Sequence, residues 1–172
     1  MIIGGTNKFD GILKDIEIIG MNQTHTTNYS CNVTSNFARK ICRHQGTLHE
    51  SGILLCGGYK NKRSCSLLQP NNNKWIDIQD MNEGRQDFAM TYTDGVVVAV
   101  GGSGPLSSSE LYENSRWRKI ANAPVTVESS CLVAIGSHEV ILIGGRQNGH
   151  VSIRVVLKSR NNSKSNFKDI MN

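Results

Sequence analysis

Proline is scarce in this chain, at 3 of 172 residues, and aromatic residues supply only 6% of it. So little proline excludes collagen-like and polyproline architectures. Charged residues are few as well, at 19% against 38% hydrophobic, which excludes an intrinsically disordered chain and a coiled coil. No apolar run is long. Val96-Val97-Val98-Ala99-Val100 is typical, far short of the roughly 20 residues that a membrane-crossing helix needs. The net charge of +5 is spread along the chain, apart from a tail that holds Lys158, Arg160, Lys164 and Lys168 among Asn and Ser. Basic residues are nowhere interleaved with aromatics along one face, so nucleic-acid binding is not expected.

The residue patterns of catalysis and metal binding are missing too. The histidines are His25, His44, His49, His138 and His150. Cys42 and His44 stand two apart, but no second pair follows at zinc spacing, so no metal is expected. Carboxylates are scattered, and no acid–base pair or Cys–His couple can be named. The expectation is no enzyme and no cofactor. Met1 leads directly into Ile2-Ile3-Gly4-Gly5 without a basic segment, a long apolar core or a cleavage site. Taken literally this favours the cytosol, yet these residues read as the middle of a structural unit.

What the chain does have is glycine, 17 residues of it, and a repeat. Four Gly-Gly pairs each close an apolar run: Ile2-Ile3-Gly4-Gly5, Ile53-Leu54-Leu55-Cys56-Gly57-Gly58, Val97-Val98-Ala99-Val100-Gly101-Gly102 and Ile141-Leu142-Ile143-Gly144-Gly145. They recur at intervals of 53, 44 and 43 residues. The flanks repeat as well. Lys74-Trp75-Ile76-Asp77-Ile78 follows the second pair, Arg116-Trp117-Arg118-Lys119-Ile120 the third, and Asn166-Phe167-Lys168-Asp169-Ile170 the fourth, with Phe167 in the Trp position. Each unit reads as four short strands: a run such as Phe88–Tyr92, the apolar run into Gly-Gly, a segment such as Ser109–Tyr112, and a last strand starting at the Trp. The apolar runs are continuous rather than alternating, as expected of a sheet covered on both faces. The Gly pairs suit a chain that leaves the strand with positive φ or passes close to another backbone. A phosphate cradle would need a helix to follow, and no helical pattern does. Trp75 and Trp117 are expected to wedge between neighbouring units.

Apolar run, Gly-Gly, spacer, aromatic, Trp, then Met and Arg: this pattern resembles the kelch repeat. The best matches are Gly57-Gly58…Trp75…Met81…Arg85 and Gly101-Gly102…Tyr112…Trp117. The resemblance implies an all-β fold of four-stranded antiparallel blades in an incomplete β-propeller ring. The approximate blades are 1–37 (lacking its first strand), 38–82, 83–122 and 123–172, in one kelch-repeat region. Propellers close with about 4 to 8 blades, so the expectation is a piece of a longer kelch protein or an arc completed by another chain. The resemblance also implies a binding face built from the loops after Gly-Gly and those joining successive blades. Its candidates are Tyr59, Lys60, Asn61 and Arg63; Ser103, Gly104 and Pro105; Arg146, Gln147, Asn148 and His150; and, between blades, Arg39, Lys40, Glu83 and Arg85. Arg85 reads equally as a clamp on backbone carbonyls.

Cys56 and Cys65 flank one hairpin, and Cys31 and Cys42 bracket the passage from the first blade to the second. A disulfide is geometrically reasonable at both places. Cys131, the odd one, is expected to be a small buried residue of an inner strand. Glycosylation sequons stand at Asn22, Asn28, Asn32 and Asn161. Similar kelch arrays with cysteines at these positions occur in secreted and cell-surface proteins, which favours an extracellular parent over a cytoplasmic one. The functional expectation is a non-catalytic module that binds a protein partner. One alternative is the substrate-recognition part of a BTB-kelch ubiquitin ligase adaptor. Another is a galactose-oxidase-like copper enzyme, disfavoured because none of Tyr29, Tyr59, Tyr92 and Tyr112 has a histidine beside it in a matching context.

Overall fold

Every apolar run that precedes a Gly pair is a β-strand. The computed structural model describes residues 40–104, 107–124, 126–136 and 139–146 in full, and outside them chiefly the backbone of short strands. In chain order the elements are β1 (Ile2–Ile3), β2 (Thr6–Asn7), β3 (Gly11–Ile12), β4 (Ile16–Glu17), β5 (Gln45–His49), β6 (Gly52–Cys56), β7 (Cys65–Gln69) and β8 (Lys74–Ile78). Then come β9 (Ala89–Thr93), β10 (Val96–Val100), β11 (Ser109–Glu113), β12 (Arg116–Ile120), β13 (Cys131–Gly136) and β14 (Glu139–Ile143). The last are β15 (Arg146–Gln147), β16 (His150–Val151), β17 (Arg154–Arg160) and β18 (Lys164–Asp169). No helix occurs among the described residues.

Three antiparallel meanders of four strands result: β5-β6-β7-β8, β9-β10-β11-β12 and β13-β14-β17-β18. These are the second, third and fourth blades. In the first blade β1 pairs with β4 and β2 with β3. The fourth blade repeats that arrangement, β14 pairing with β17 and β15 with β16. Register repeats too: Leu68 lies opposite Trp75, Tyr112 opposite Trp117 and Leu157 opposite Phe167. Leu68 is therefore the counterpart of Tyr112.

The core lies in the seams between blades. In one, Leu54, Cys56, Cys65 and Leu67 meet Met90, Val97, Ala99, Tyr112 and Trp117. In the next, Ala89, Val98 and Val100 meet Val127, Leu132, Val140 and Leu142. Trp117 is buried between blades as expected, and Trp75 packs on Ile41 and Leu55. Cys56 and Cys65 lie directly opposite one another with Cα atoms 4.2 Å apart and are joined by a disulfide inside the first of these seams. Cys42 is a buried free thiol, and Cys31 lies outside the described residues. Gly4, Gly5, Asn22, Asn28, Asn32 and Asn161 lie outside them as well. Cys131 corrects the expectation of burial. It is exposed, because it sits on the side of β13 turned away from the third blade.

The Gly pairs do what their chemistry suits them for. Gly57 has φ +69°, and a Cβ there would lie 2.5 Å from the Arg85 carbonyl oxygen and 2.7 Å from the Phe88 ring. Phe88 is fully buried beneath it. Gly95, in the β9–β10 turn, has φ +80° but open space around its Cβ position. Gly95→Ala is therefore expected to cost about 1–2 kcal/mol for left-handed backbone alone. Gly57→Ala is expected to cost about 1–3 kcal/mol more for overpacking, a difference that urea melts of the two variants measure.

His44 holds in the second blade the place of Phe88 in the third, one residue after a left-handed residue at the start of the inner strand (Arg43 φ 58°, Asp87 φ 54°). Burial lowers its pKa from the ordinary 6.5. As pH falls, the unfolded chain takes up the proton first, so stability present above about 6.5 is lost below it. His44→Phe is expected to remove this part of the pH dependence, as read by melts on either side of that value.

Candidate partner-binding face

In a four-stranded meander the second connection and the link to the next blade fall at the same end of the sheet. That end carries the loops after each Gly pair. Backbone hydrogen bonds hold them in place. In the second blade, Gly57 N donates to Ser64 O (2.9 Å) and Tyr59 N to Cys42 O (3.0 Å). Gly58 N donates across the seam to Arg85 O (2.9 Å), Arg85 N back to Lys62 O (2.7 Å), and Met81 N to Arg63 O (2.9 Å). The third blade repeats the scheme, with Gly101 N to Ser108 O (3.0 Å), Gly102 N to Val127 O (2.9 Å) and Ser103 N to Gln86 O (2.8 Å).

The expected loop residues divide into groups on this frame. Lys40, Tyr59, Lys60 and Asn61 line one shallow depression, with Gly57 and Gly58 at its base. All four are exposed, Tyr59 by 53%. Arg63 is exposed next to them and donates through Nε to Met81 O at 2.7 Å. Ser103 and Arg146 meet at Glu128: the Ser103 hydroxyl donates to the Glu128 carboxylate at 2.6 Å, and Arg146 and Glu128 exchange backbone hydrogen bonds. Glu83 is tied to Lys119, whose hydrogen bond and charge hold its carboxyl below the usual range against a smaller opposing effect of burial. Gln147 and His150 are cross-strand partners in the β15–β16 ribbon. Arg39, Pro105 and Asn148 lie outside the described residues.

Arg85 leaves the set of surface candidates. Its side chain is wholly buried and ion-paired with Glu110, equally buried, at 3.0 Å. It donates to Gly101 O (2.7 Å), Ser108 O (2.8 Å) and the Ser108 hydroxyl (2.7 Å), so the carbonyl-clamp reading is the one observed. Burial pulls the guanidinium below its ordinary value, and the hydrogen bond and charge of Glu110 oppose this. Sequence reasoning missed Glu110. The same carboxylate accepts from Asn82 N (2.8 Å), Asn82 Nδ2 (2.8 Å) and Glu83 N (3.0 Å), closing the loop onto β11. The available signal was a carboxylate inside a strand, Glu110 directly before Leu111-Tyr112 of β11.

At the opposite end of the blades the fold brings a histidine to tyrosines that the sequence had kept apart. His49 meets Tyr92 and Tyr112 edge-on, with ring centroids 5.4 and 6.2 Å away. Its Nδ1 accepts from Ser51 N at 3.1 Å. Among the described residues no group of three or more His, Cys, Asp or Glu is placed to hold a metal ion.

Glu110→Gln leaves a buried guanidinium without its counter-charge and is expected to cost about 3–5 kcal/mol of stability. In a double-mutant cycle with Arg85→Met, the double variant is expected to lose less than the two single losses together. Additive losses in urea melts would show that the two charges do not act as a pair.

No family model matches the chain. Over 61 residues, 33% of its length, it is 38% identical to Kelch-like protein 26 of Danio rerio. Among solved structures it is similar to YjhT, with a TM-score of 0.67 at 14% identity over 83% of this chain. The matches take in 10% of the Danio rerio protein and 48% of the YjhT chain, so the chain spans about a tenth of the one and half of the other. At 14% identity the YjhT likeness speaks for the fold alone. Repeat, sheet order and both likenesses agree: this chain is an array of kelch-type β-propeller blades.

Proposed function

We propose that this array is a non-catalytic module that binds a protein partner through the loop end of its blades. The observation that carries the reading is the cluster of Lys40, Tyr59, Lys60 and Asn61 around one depression, on loops that backbone hydrogen bonds hold in place. Loops fixed before contact lose little conformational freedom on binding, so more of the contact energy appears as affinity. An exposed tyrosine is also the residue type most often found to anchor an interface. The likeness to a Kelch-like protein supports a repeat module of this kind.

The test is photo-crosslinking from position 59, with position 71 in the β7–β8 turn at the opposite end as control. The expected result is one protein partner captured from position 59 and not from position 71. Tyr59→Ala combined with Lys60→Glu is expected to weaken binding of that partner by about tenfold or more, with the melting curve unchanged. Equal capture from both ends would overturn the reading.

A further inference from the structure

We infer that the depression between Lys40 and Lys60 takes an acidic segment of a protein, a run of Asp and Glu side chains along an extended chain. The inference deepens the protein-binding reading above and rests on it for the class of partner.

The first observation is uncompensated charge. The fold brings Lys40 to the loop that carries Lys60, Lys62 and Arg63, and all four are exposed. The two stretches that build the depression, 39–44 and 57–64, contain no Asp or Glu. The ion pairs among the described residues serve other cations. Arg43 pairs with Asp87 (3.4 Å), Arg85 with Glu110 (3.0 Å), Arg118 with Glu113 (3.8 Å) and Lys119 with Glu83. Glu83 responds first to the hydrogen bond of Lys119 and last to the charge of Arg63. None of the four cations has a carboxylate partner among the described residues.

The second observation is a surplus of donors. Lysine and arginine side chains donate hydrogen bonds and cannot accept them. The backbone acceptors around them are already engaged: Cys42 O by Tyr59 N (3.0 Å), Asn61 O by Ser64 N (3.2 Å), Lys62 O by Arg85 N (2.7 Å) and Arg63 O by Met81 N (2.9 Å). What the loop offers to solvent is a set of cationic donors beside the Tyr59 hydroxyl, which also donates to a carboxylate. Such a surface fits a ligand rich in acceptors and negative in charge.

The same geometry selects among anions. A single phosphate is best held by converging free amides. Here the amides of Gly57, Gly58 and Tyr59 all donate to carbonyls of the fold, so no such cradle is left. A single-stranded nucleic acid needs several aromatic faces on which bases stack. Of the Phe, Tyr and Trp side chains among the described residues, Tyr59 alone is exposed. Long lysine stems on a rigid loop can instead follow carboxylates spaced along an extended peptide.

The test is fluorescence anisotropy of the chain with a labelled peptide of alternating Glu and Gly, against the same peptide with Gln for Glu. The Glu peptide is expected to bind and the Gln peptide not. Its affinity is expected to fall about fivefold or more as salt rises from about 50 to about 300 mM. Lys40→Gln with Lys60→Gln and Lys62→Gln is expected to weaken it by about tenfold or more. Lys74→Gln with Arg116→Gln and Arg118→Gln removes the same charge from exposed positions of the outer strands β8 and β12 and is expected to leave binding unchanged. The peptide comparison and the salt series use the unaltered chain and so do not depend on the variants folding. Equal binding of the two peptides, equal loss from the two triple variants, or tighter binding of an oligonucleotide or of inorganic phosphate than of the Glu peptide overturns the inference. A partner captured from position 59 while the Glu peptide fails to bind sinks this inference and leaves the protein-binding reading standing. Equal capture from positions 59 and 71 with the Glu peptide still bound does the reverse.

Discussion

Each seam is set by two backbones brought closer than any side chain would allow. A strand ends, two glycines turn with positive φ, and the second amide reaches the carbonyl of the next inter-blade loop. The Cβ that every other residue carries would meet the Arg85 carbonyl of that loop at Gly57, and at Gly102 it would meet Gln86 O and Phe88 at the entry to its own blade. The close approach fixes the distance between sheets, and that distance determines what can fill the seam. Phe88 fits below Gly57 and Gly102 because no side chain competes for the space. The loops at this end inherit their placement from the same contact, since Tyr59 N and Ser103 N continue the hydrogen bonding one residue further on.

Hydrophobic packing alone would let one blade slide over another at little cost, because burial is nearly indifferent to register. The Arg85–Glu110 pair is not indifferent. The guanidinium binds two carbonyls and a hydroxyl of the third blade, and the carboxylate binds two amides of the loop that delivers the arginine. A buried ion pair contributes little net stability relative to a well-packed apolar substitute. Its donors and acceptors are satisfied in one register only, so here it specifies the blade-to-blade alignment rather than its strength.

How much of this was legible in the sequence depends on how specialised the residues are. The Gly pairs announced the blades because few other residues tolerate that backbone, and Trp117 announced a seam because a large ring must be covered. The Cys56–Cys65 bond was readable from two cysteines flanking one hairpin. The left-handed positions at Arg43, Asp87 and Ser129 were not, since three unlike side chains occupy one backbone role and only the hydrogen bonds reveal it. Arg85 was ambiguous for a related reason. An arginine next to a loop reads as surface until its counter-charge, 25 positions on, is known to lie beside it. Cys131 was misplaced because burial in a repeat depends on the following blade, which the residue's own unit does not encode.

The same frame explains why candidate function concentrates at one blade. Around the third and fourth blades, the Ser103 hydroxyl is already engaged by the Glu128 carboxylate. Glu83 is held by Lys119 and Arg85 by Glu110. In the second blade, the loop after Gly58 is stitched through its amides and carbonyls, which leaves Tyr59 and Lys60 pointing to solvent beside Lys40. Backbone rigidity with exposed, chemically mixed side chains is the combination that recognition requires.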